Sequence, residues 1–272
     1  MLLKQFPDKN RFDQLARTSN VIPVCAEILA DTITPVSLLK NFHTGRDPVF
    51  LLESVEGGER WGRYSFLGVS ARCQVRISAD RVDITEKDTV RQVAHKDAPL
   101  DVLKTLMARY RPAEIKELPR FWGGLVGYMT YEMVRFFEPV PCPLPEGAPL
   151  AHFVIPDALI IFDNVRNTLT GIVIVFTDDQ PDLDQAYAAA RQQLAALLAR
   201  IRRSIPAKMG LPDPAKYQLV EKTSPDAFRS RVETIKDHIR AGDVIQTVIS
   251  QEFVSDAAVD LWMLYRAQRY IN

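Results

Sequence analysis

Apolar and polar positions along the chain separate into short strand-like runs and longer helical stripes. Val21–Leu29 and Pro48–Ser54 are mostly apolar runs bounded by polar residues, and Tyr64–Val69 is a third; each predicts a strand. Arg72–Ser78, a turn at Ala79–Asp80, and Arg81–Thr85 alternate in polarity, the pattern of a hairpin with two distinct faces. Asp157–Phe162, a turn at Asp163–Asn167, and Leu169–Phe176 predict a second hairpin. Phe121–Tyr128 is rich in glycine and aromatics, which predicts a central strand with close backbone neighbours.

The helical stripes come between these runs. Phe12–Thr18 predicts a short helix, and Thr34 caps another from Pro35 to Phe42. Leu100, Leu103, Leu106 and Met107 put a helical face on Pro99–Tyr110, and Thr130–Phe137 reads as helix. Five prolines in Pro139–Pro149 exclude regular structure there. Asp182–Ile205 is the strongest helix. Tyr187, Ala190, Leu194, Leu197, Leu198, Ile201 and Ile205 form its apolar stripe, and Arg200, Arg202 and Arg203 complement the dipole at its end. Ser204–Tyr217, with three prolines and a glycine, reads as a linker. Ser224 then caps a helix with Pro225 at its first position and Asp226 in its first turn. Its inner face is Phe228, Val232, Ile235 and Ile239, and Gly242 stops it. Val244–Ser250 predicts a strand and Asp260–Tyr270 a helix. Hairpins with interspersed helices mean an α+β protein rather than a regular βαβ sheet. The expected division is a first domain over 1–205, a linker over 206–223, and the start of a second domain over 224–272.

Composition narrows the function. Lys+Arg and Asp+Glu are 34 each, so no global field favours nucleic acid or an anionic membrane. The start, MLLKQFPDKNRF, has no signal-peptide pattern, and no apolar run approaches the roughly 18 residues of a membrane span. Cys25, Cys73 and Cys142 are odd in number and far apart, which points to free thiols in a reducing compartment, with the cytoplasm as the expected location. His43, His95, His152 and His238 lack metal-ligand spacing, and no phosphate-cradling loop or nucleophile elbow is present. One region is suited to a ligand. In Phe50–Gly68, FLLESVEGGERWGRYSFLG, one apolar strand ends at Glu53–Ser54 and a second opens with Arg63–Tyr64–Ser65. A few fixed polar groups over an apolar floor are a common way to hold a small zwitterion. From the residues alone, the start of an ordinary turn after a buried strand is the favoured reading of Glu53 and Ser54.

FLLESVEGGERWGRYSFLG, GGLVGYMTYEMVRFFE, PDALIIFDNV and SPDAFRSRVETIKDHIRAGDVIQTVISQ, in this order, together resemble anthranilate synthase component I. LWMLYRAQRYIN also resembles that family's YRALR-x-x-N segment, so the likeness runs from about Val21 to Asn272. The resemblance implies an α+β sandwich of two facing antiparallel sheets with helices outside. It implies conversion of chorismate and ammonia to anthranilate and pyruvate with Mg²⁺, a glutamine amidotransferase subunit as ammonia source, and feedback inhibition by tryptophan. It further implies that Leu52, Glu53, Ser54, Arg63, Tyr64 and Ser65 form one wall of the tryptophan pocket, with Ser54 at the family's tryptophan-contacting serine. Gln246 falls where isochorismate-forming relatives carry a water-activating lysine. A glutamine cannot act as a base near neutral pH, and ammonia needs none, so Gln246 agrees with ammonia as the attacking group. A strand glutamine that satisfies neighbouring backbone groups is the plainer reading of the same position.

The chain also departs from the family pattern. Glu252 stands where the family usually has arginine, and Gln268 replaces leucine. The sequence stops where the family continues into P-S-P-Y-M, and the family's magnesium-binding glutamates and catalytic histidine belong to that later half. The expectation is a 272-residue chain without synthase activity of its own and with weak or no tryptophan binding. Two other readings stand beside the leading one: component I of aminodeoxychorismate synthase, the folate-pathway sister, and a non-catalytic tryptophan-sensing or subunit-binding module.

Overall fold

A computed structural model describes residues 1–45, 47–53, 62–143, 147–180, 182–203 and 218–271. The chain divides into two compact units, Met1–Ala207 and Lys208–Asn272.

The first unit is built on one antiparallel sheet of nine strands. These are β1 (Leu2–Phe6), β2 (Val21–Leu29), β3 (Phe50–Leu52), β4 (Tyr64–Ile77), β5 (Arg81–Glu86), β6 (Thr89–Ala94), β7 (Val126–Met129), β8 (Ala151–Asp163) and β9 (Thr168–Phe176). Helices α1 (Lys9–Ala16), α2 (Pro35–Phe42), α3 (Pro99–Met107) and α4 (Leu183–Arg202) accompany them, with a 3-10 turn at Tyr131–Phe136. The strand order is β1-β2-β9-β8-β4-β5-β6, with β3 on β4 and β7 on β8.

Two long strands make the sheet curl. The first residues of β4 pair with β3 and with the end of β8, while its last residues pair with β5 and with the start of β8. On its other side β8 pairs with β7 through Ala151–Val154 and with β9 through Ala158–Asp163. Between the halves the β4–β8 register slips at Gly68/Ser70, Ser70/Ala71 and Ala71/Cys73. Bulges of this kind bend a strand and raise its twist, so one strand can serve two sheet layers. The two sheets implied by the resemblance are thus halves of one continuous sheet. Both halves contribute to one core, with Ile22, Leu67, Leu159, Ile160 and Ile172 from one and Val75, Ile77, Val82 and Ile84 from the other.

Local signals formed as read from the sequence where caps and periodicity were strong. Thr34 and Ser37 make a reciprocal capping box at α2, and Asp182 accepts the Asp184 and Gln185 N–H groups at α4. Ala190, Leu194, Leu197, Leu198 and Ile201 of α4 are buried; Ile205 and the linker stretch Ser204–Tyr217 lie outside the described residues. Three expectations are corrected. Leu2–Phe6 and Thr89–Ala94, to which the sequence reading assigned no element, both form edge strands. Tyr64–Val69 and Arg72–Ser78 are one strand, because bulges rather than a turn absorb the break. The glycine-rich run forms only β7, paired to β8 alone rather than placed centrally. Its close approach is real: a Cβ on Gly127 would lie 2.0 Å from the His152 carbonyl oxygen.

The second unit holds α5 (Pro225–Ala241), α6 (Leu261–Ile271) and a two-stranded ribbon of β10 (Val220–Glu221) with β11 (Phe253–Val254). β10 thus falls inside the stretch expected to be linker. Ser224 accepts from the Ala227 N–H, and Gly242 closes α5 in the left-handed region at φ 84°. The strand expected over Val244–Ser250 does not form. None of the described residues of this unit is buried, so no apolar layer holds that run extended. No helix among the described residues is long and apolar enough to cross a membrane.

Candidate functional site

The antiparallel registers bring Leu52, Glu53, Arg63, Tyr64 and Ser65 to one end of the sheet. Leu52, the last residue of β3, pairs with Phe66 of β4, so Glu53 leaves β3 where Arg63–Tyr64–Ser65 enters β4. On the other side of β4, Tyr64 pairs with Asp163 and Ser65 with Phe162, at the mouth of the β8–β9 turn. Leu52 is exposed, Glu53 and Tyr64 half-buried, and Ser65 buried at 2% exposure. Ser54 lies outside the described residues.

Phe50 is seated by a missing side chain. It pairs with Gly68, and its ring covers the glycine so closely that a Cβ there would lie 2.1 Å from a ring carbon. Tyr64 continues an aromatic floor: its ring lies 6.2 Å from Phe66, which meets Phe121 edge-on at 5.0 Å.

The β8–β9 turn supplies the polar framework. Arg63 Nε donates to both Asp163 carboxylate oxygens at 3.1 and 3.2 Å, and Nη2 donates to Oδ2 at 2.6 Å. The guanidinium carbon sits 4.9 Å from the Tyr64 ring centre. Asp163 Oδ1 also accepts the Val165 and Arg166 N–H groups at 3.2 and 3.1 Å. Burial alone would raise the Asp163 carboxyl, but the Arg63 and backbone donors together hold it below its ordinary value. Asn164 donates its backbone N–H to the Arg63 carbonyl at 2.8 Å, and its side-chain amide to the Gly62 carbonyl and Ser65 Oγ, each at 3.2 Å. Sequence reasoning placed a turn at Asp163–Asn167 but gave neither residue a role. The available signal was an Asp-Asn pair closing an apolar strand, a frequent source of side-chain-to-backbone bonds.

Gln246 is exposed and lies outside any strand, so its plainer reading as a strand glutamine that satisfies neighbouring backbone groups is corrected. Ile245 beside it is 97% exposed. Among the described residues no three His, Cys, Asp or Glu side chains gather to hold a metal ion. A separate cavity of about 320 Å³ between β4, β9 and α4 is lined by Arg72, Asp157, Asp179 and Ala190, and uses none of the predicted site residues.

The curled antiparallel sheet with its accompanying helices defines an α+β fold. The chain belongs to the chorismate binding enzyme family, whose profile matches residues 47–272. Anthranilate synthase component 1 of Pseudomonas putida is 35% identical over 275 residues, covering 97% of this chain and 55% of that protein. The Aquifex aeolicus protein of the same name is 32% identical, covering 95% and 53%. The crystal structure of anthranilate synthase component I from Streptococcus pneumoniae TIGR4 superposes with a TM-score of 0.59 at 25% identity, covering 90% of this chain and 52% of that one. The chain therefore spans about half the length of the curated relatives it matches.

Proposed function

We propose that this chain is part of component I of an anthranilate synthase, which converts chorismate and ammonia to anthranilate and pyruvate in tryptophan biosynthesis. The observation that carries the reading is the family match over 47–272, together with relatives that bear that name along nearly all of this chain. A glutamine amidotransferase subunit supplies the ammonia, and the protein works in the cytoplasm. Tryptophan inhibits by binding at the strand-end cluster of Leu52, Glu53, Ser54, Arg63, Tyr64 and Ser65. The half-buried aromatic floor of Tyr64 and Phe66 suits an indole ring, and the polar strand ends beside it suit a zwitterionic head.

Relatives of this kind imply Mg²⁺. The described residues do not fit it, since no group of acidic or imidazole ligands converges among them, and no step is routed through the ion. What this chain contributes to chemistry is narrower. Gln246, with an amide that neither gains nor loses a proton near neutral pH, leaves ammonia rather than water as the nucleophile. The chain spans about half the length of those relatives, and we infer that it gives no turnover by itself.

The test is a continuous fluorescence assay for anthranilate, with chorismate, ammonium and Mg²⁺ present. The 272-residue chain should give none, and a polypeptide of the relatives' full length carrying this sequence should give anthranilate, inhibited by tryptophan. Turnover by the 272-residue chain would refute the inactivity. Aminodeoxychorismate from the longer chain would transfer the assignment to the folate branch. Tryptophan binding by a longer chain that never turns over chorismate would favour the sensing module.

A further inference from the structure

Arg63 invites an obvious role at an amino-acid site: a guanidinium at a strand end, ready for a carboxylate. The geometry points to a different one. We propose that Arg63 is a strut, and that Asp163 and Asn164 of the β8–β9 turn are positioning residues that set the tryptophan response by fixing the start of β4. The inference rests on the tryptophan-site reading above.

Three observations carry it. First, the guanidinium is already engaged. Its Nε–Nη2 edge is held two-pronged by Asp163 and its face by the Tyr64 ring. A two-pronged carboxylate pair is the strongest arrangement a guanidinium makes, and an amino-acid carboxylate offers nothing better on that edge. The pair is also partly sheltered, with the Asp163 side chain 12% and the Arg63 side chain 31% exposed. Second, Asp163 is itself fixed. Its Oδ1 caps the turn through Val165 and Arg166, and the turn is tied to the end of β2 by the Ala30 N–H on the Asn167 carbonyl at 2.9 Å. Third, Asn164 reaches the three residues that enter β4. It holds the Gly62 and Arg63 carbonyls, and its amide fixes the rotamer of the buried Ser65 hydroxyl. A hydroxyl so held offers its hydrogen in one direction, which is the kind of second support that keeps a binding group in place.

The strut and the anchor make opposite predictions for Asp163→Asn. If Arg63 bound the ligand carboxylate, releasing it from Asp163 would leave inhibition unchanged or strengthen it. As a strut, Arg63 loses its seat and inhibition weakens. The experiment uses the full-length polypeptide with ammonium as nitrogen donor. It reads the tryptophan concentration for half-inhibition against kcat/KM for chorismate in the same preparation. Asp163→Asn and Arg63→Gln should each raise that concentration about tenfold or more, and Asp163→Asn should do so with kcat/KM within about twofold. The double variant should be no worse than either single, since both break one unit. Tryptophanamide, which lacks the carboxylate, should lose inhibition by the same factor in Arg63→Gln. Asn164→Asp leaves the ion pair in place and removes the Ser65 donor, so it must shift inhibition in the same direction even if Asp163→Asn fails to fold. Wild-type-like inhibition in Asp163→Asn or in Asn164→Asp, or an Arg63→Gln defect that vanishes for tryptophanamide, would overturn the strut. A wild-type polypeptide insensitive to tryptophan would instead remove the site reading itself.

Discussion

Gly68→Ala tests how β3 is held, and so how the strand-end cluster is placed. The added Cβ would stand 2.1, 2.5 and 2.6 Å from three atoms of the Phe50 ring. Ordinary contact begins near 3.4 Å, so the ring must retreat by about 1.3 Å at its closest atom. The backbone of Gly68 cannot yield, because its strand is paired on both sides, to β3 through Phe50 and to β8 through Leu159. Phe50 lies on a three-residue strand that pairs with β4 alone, so β3 moves. Overpacking of this size costs about 1–3 kcal/mol. Phe50→Ala removes a half-buried ring and costs about 2 kcal/mol, below the range for a fully buried one. With the ring gone, the alanine methyl has room. It also restricts the unfolded chain, a gain of about 0.4–1 kcal/mol. The double variant should therefore be no less stable than Phe50→Ala alone, a coupling of about 1–3 kcal/mol. Urea unfolding followed by circular dichroism measures all four members of the cycle. Because no described residue of the second unit is buried, the main transition reports the first unit. A neutral Gly68→Ala, or strictly additive single effects, would refute the account of β3.

Gly127→Ala should cost more than Gly68→Ala, above about 3 kcal/mol, because the new Cβ meets backbone: the His152 oxygen at 2.0 Å and the Phe153 Cα at 2.6 Å. A urea midpoint equal to that of Gly68→Ala would contradict this. Leu194→Ala in the buried face of α4 should cost about 2–5 kcal/mol by loss of burial and an unfilled cavity, read as a fall in midpoint at constant slope. The Asp163 carboxyl has a lower pKa folded than unfolded, so its stabilisation is complete above the ordinary value of 3.8 and is lost as pH falls through the folded value. Asp163→Asn should flatten the acid limb of the stability–pH curve below about pH 4, and an unchanged slope there would show that the pair with Arg63 is not formed in solution.

Much of the first unit was legible because its signals are local. A cap three residues before its partner, as in Thr34 and Ser37, or an apolar stripe repeating along α4, needs no knowledge of distant chain. The β2 run and the β8–β9 hairpin were legible for a similar reason, since continuous apolar residues between turns leave few alternatives. What was not legible depended on partners far away in sequence. β1 carries no clear strand pattern, since only Phe6 of its five residues is buried, and it exists by pairing with β2. β6 is likewise an edge, and it carries Arg91 opposite the buried Ile84, a charge on the inner row that discourages further strand addition. The single long β4 was hidden by its bulges. At the site, the resemblance named Arg63, but its partner lies 100 residues on, and nothing near Arg63 announces Asp163.

The second unit shows the limit of local signals from the other side. α5 has every device a helix start and stop can use: Ser224, Pro225, Asp226 and a left-handed Gly242. It formed as expected, although Phe228, Val232 and Ile235 are only half-buried and Ile239 is exposed. A helix satisfies its own backbone, so caps and propensity suffice to specify it once it has about four turns. A strand does not. Val244–Ser250 has the composition of one, yet its N–H and C=O groups can be satisfied only by another strand. Where none is supplied among the described residues, Ile245 and Val248 stand 97% and 86% exposed. The same physics explains why β3, with only three residues, is ordered: β4 supplies a complete edge, and Phe50 locks onto Gly68. Strand ends placed by such partners are rigid on one side and open on the other. That combination lets the Asp163 and Asn164 side chains hold Arg63 and Ser65 while Leu52 on the neighbouring strand stays exposed.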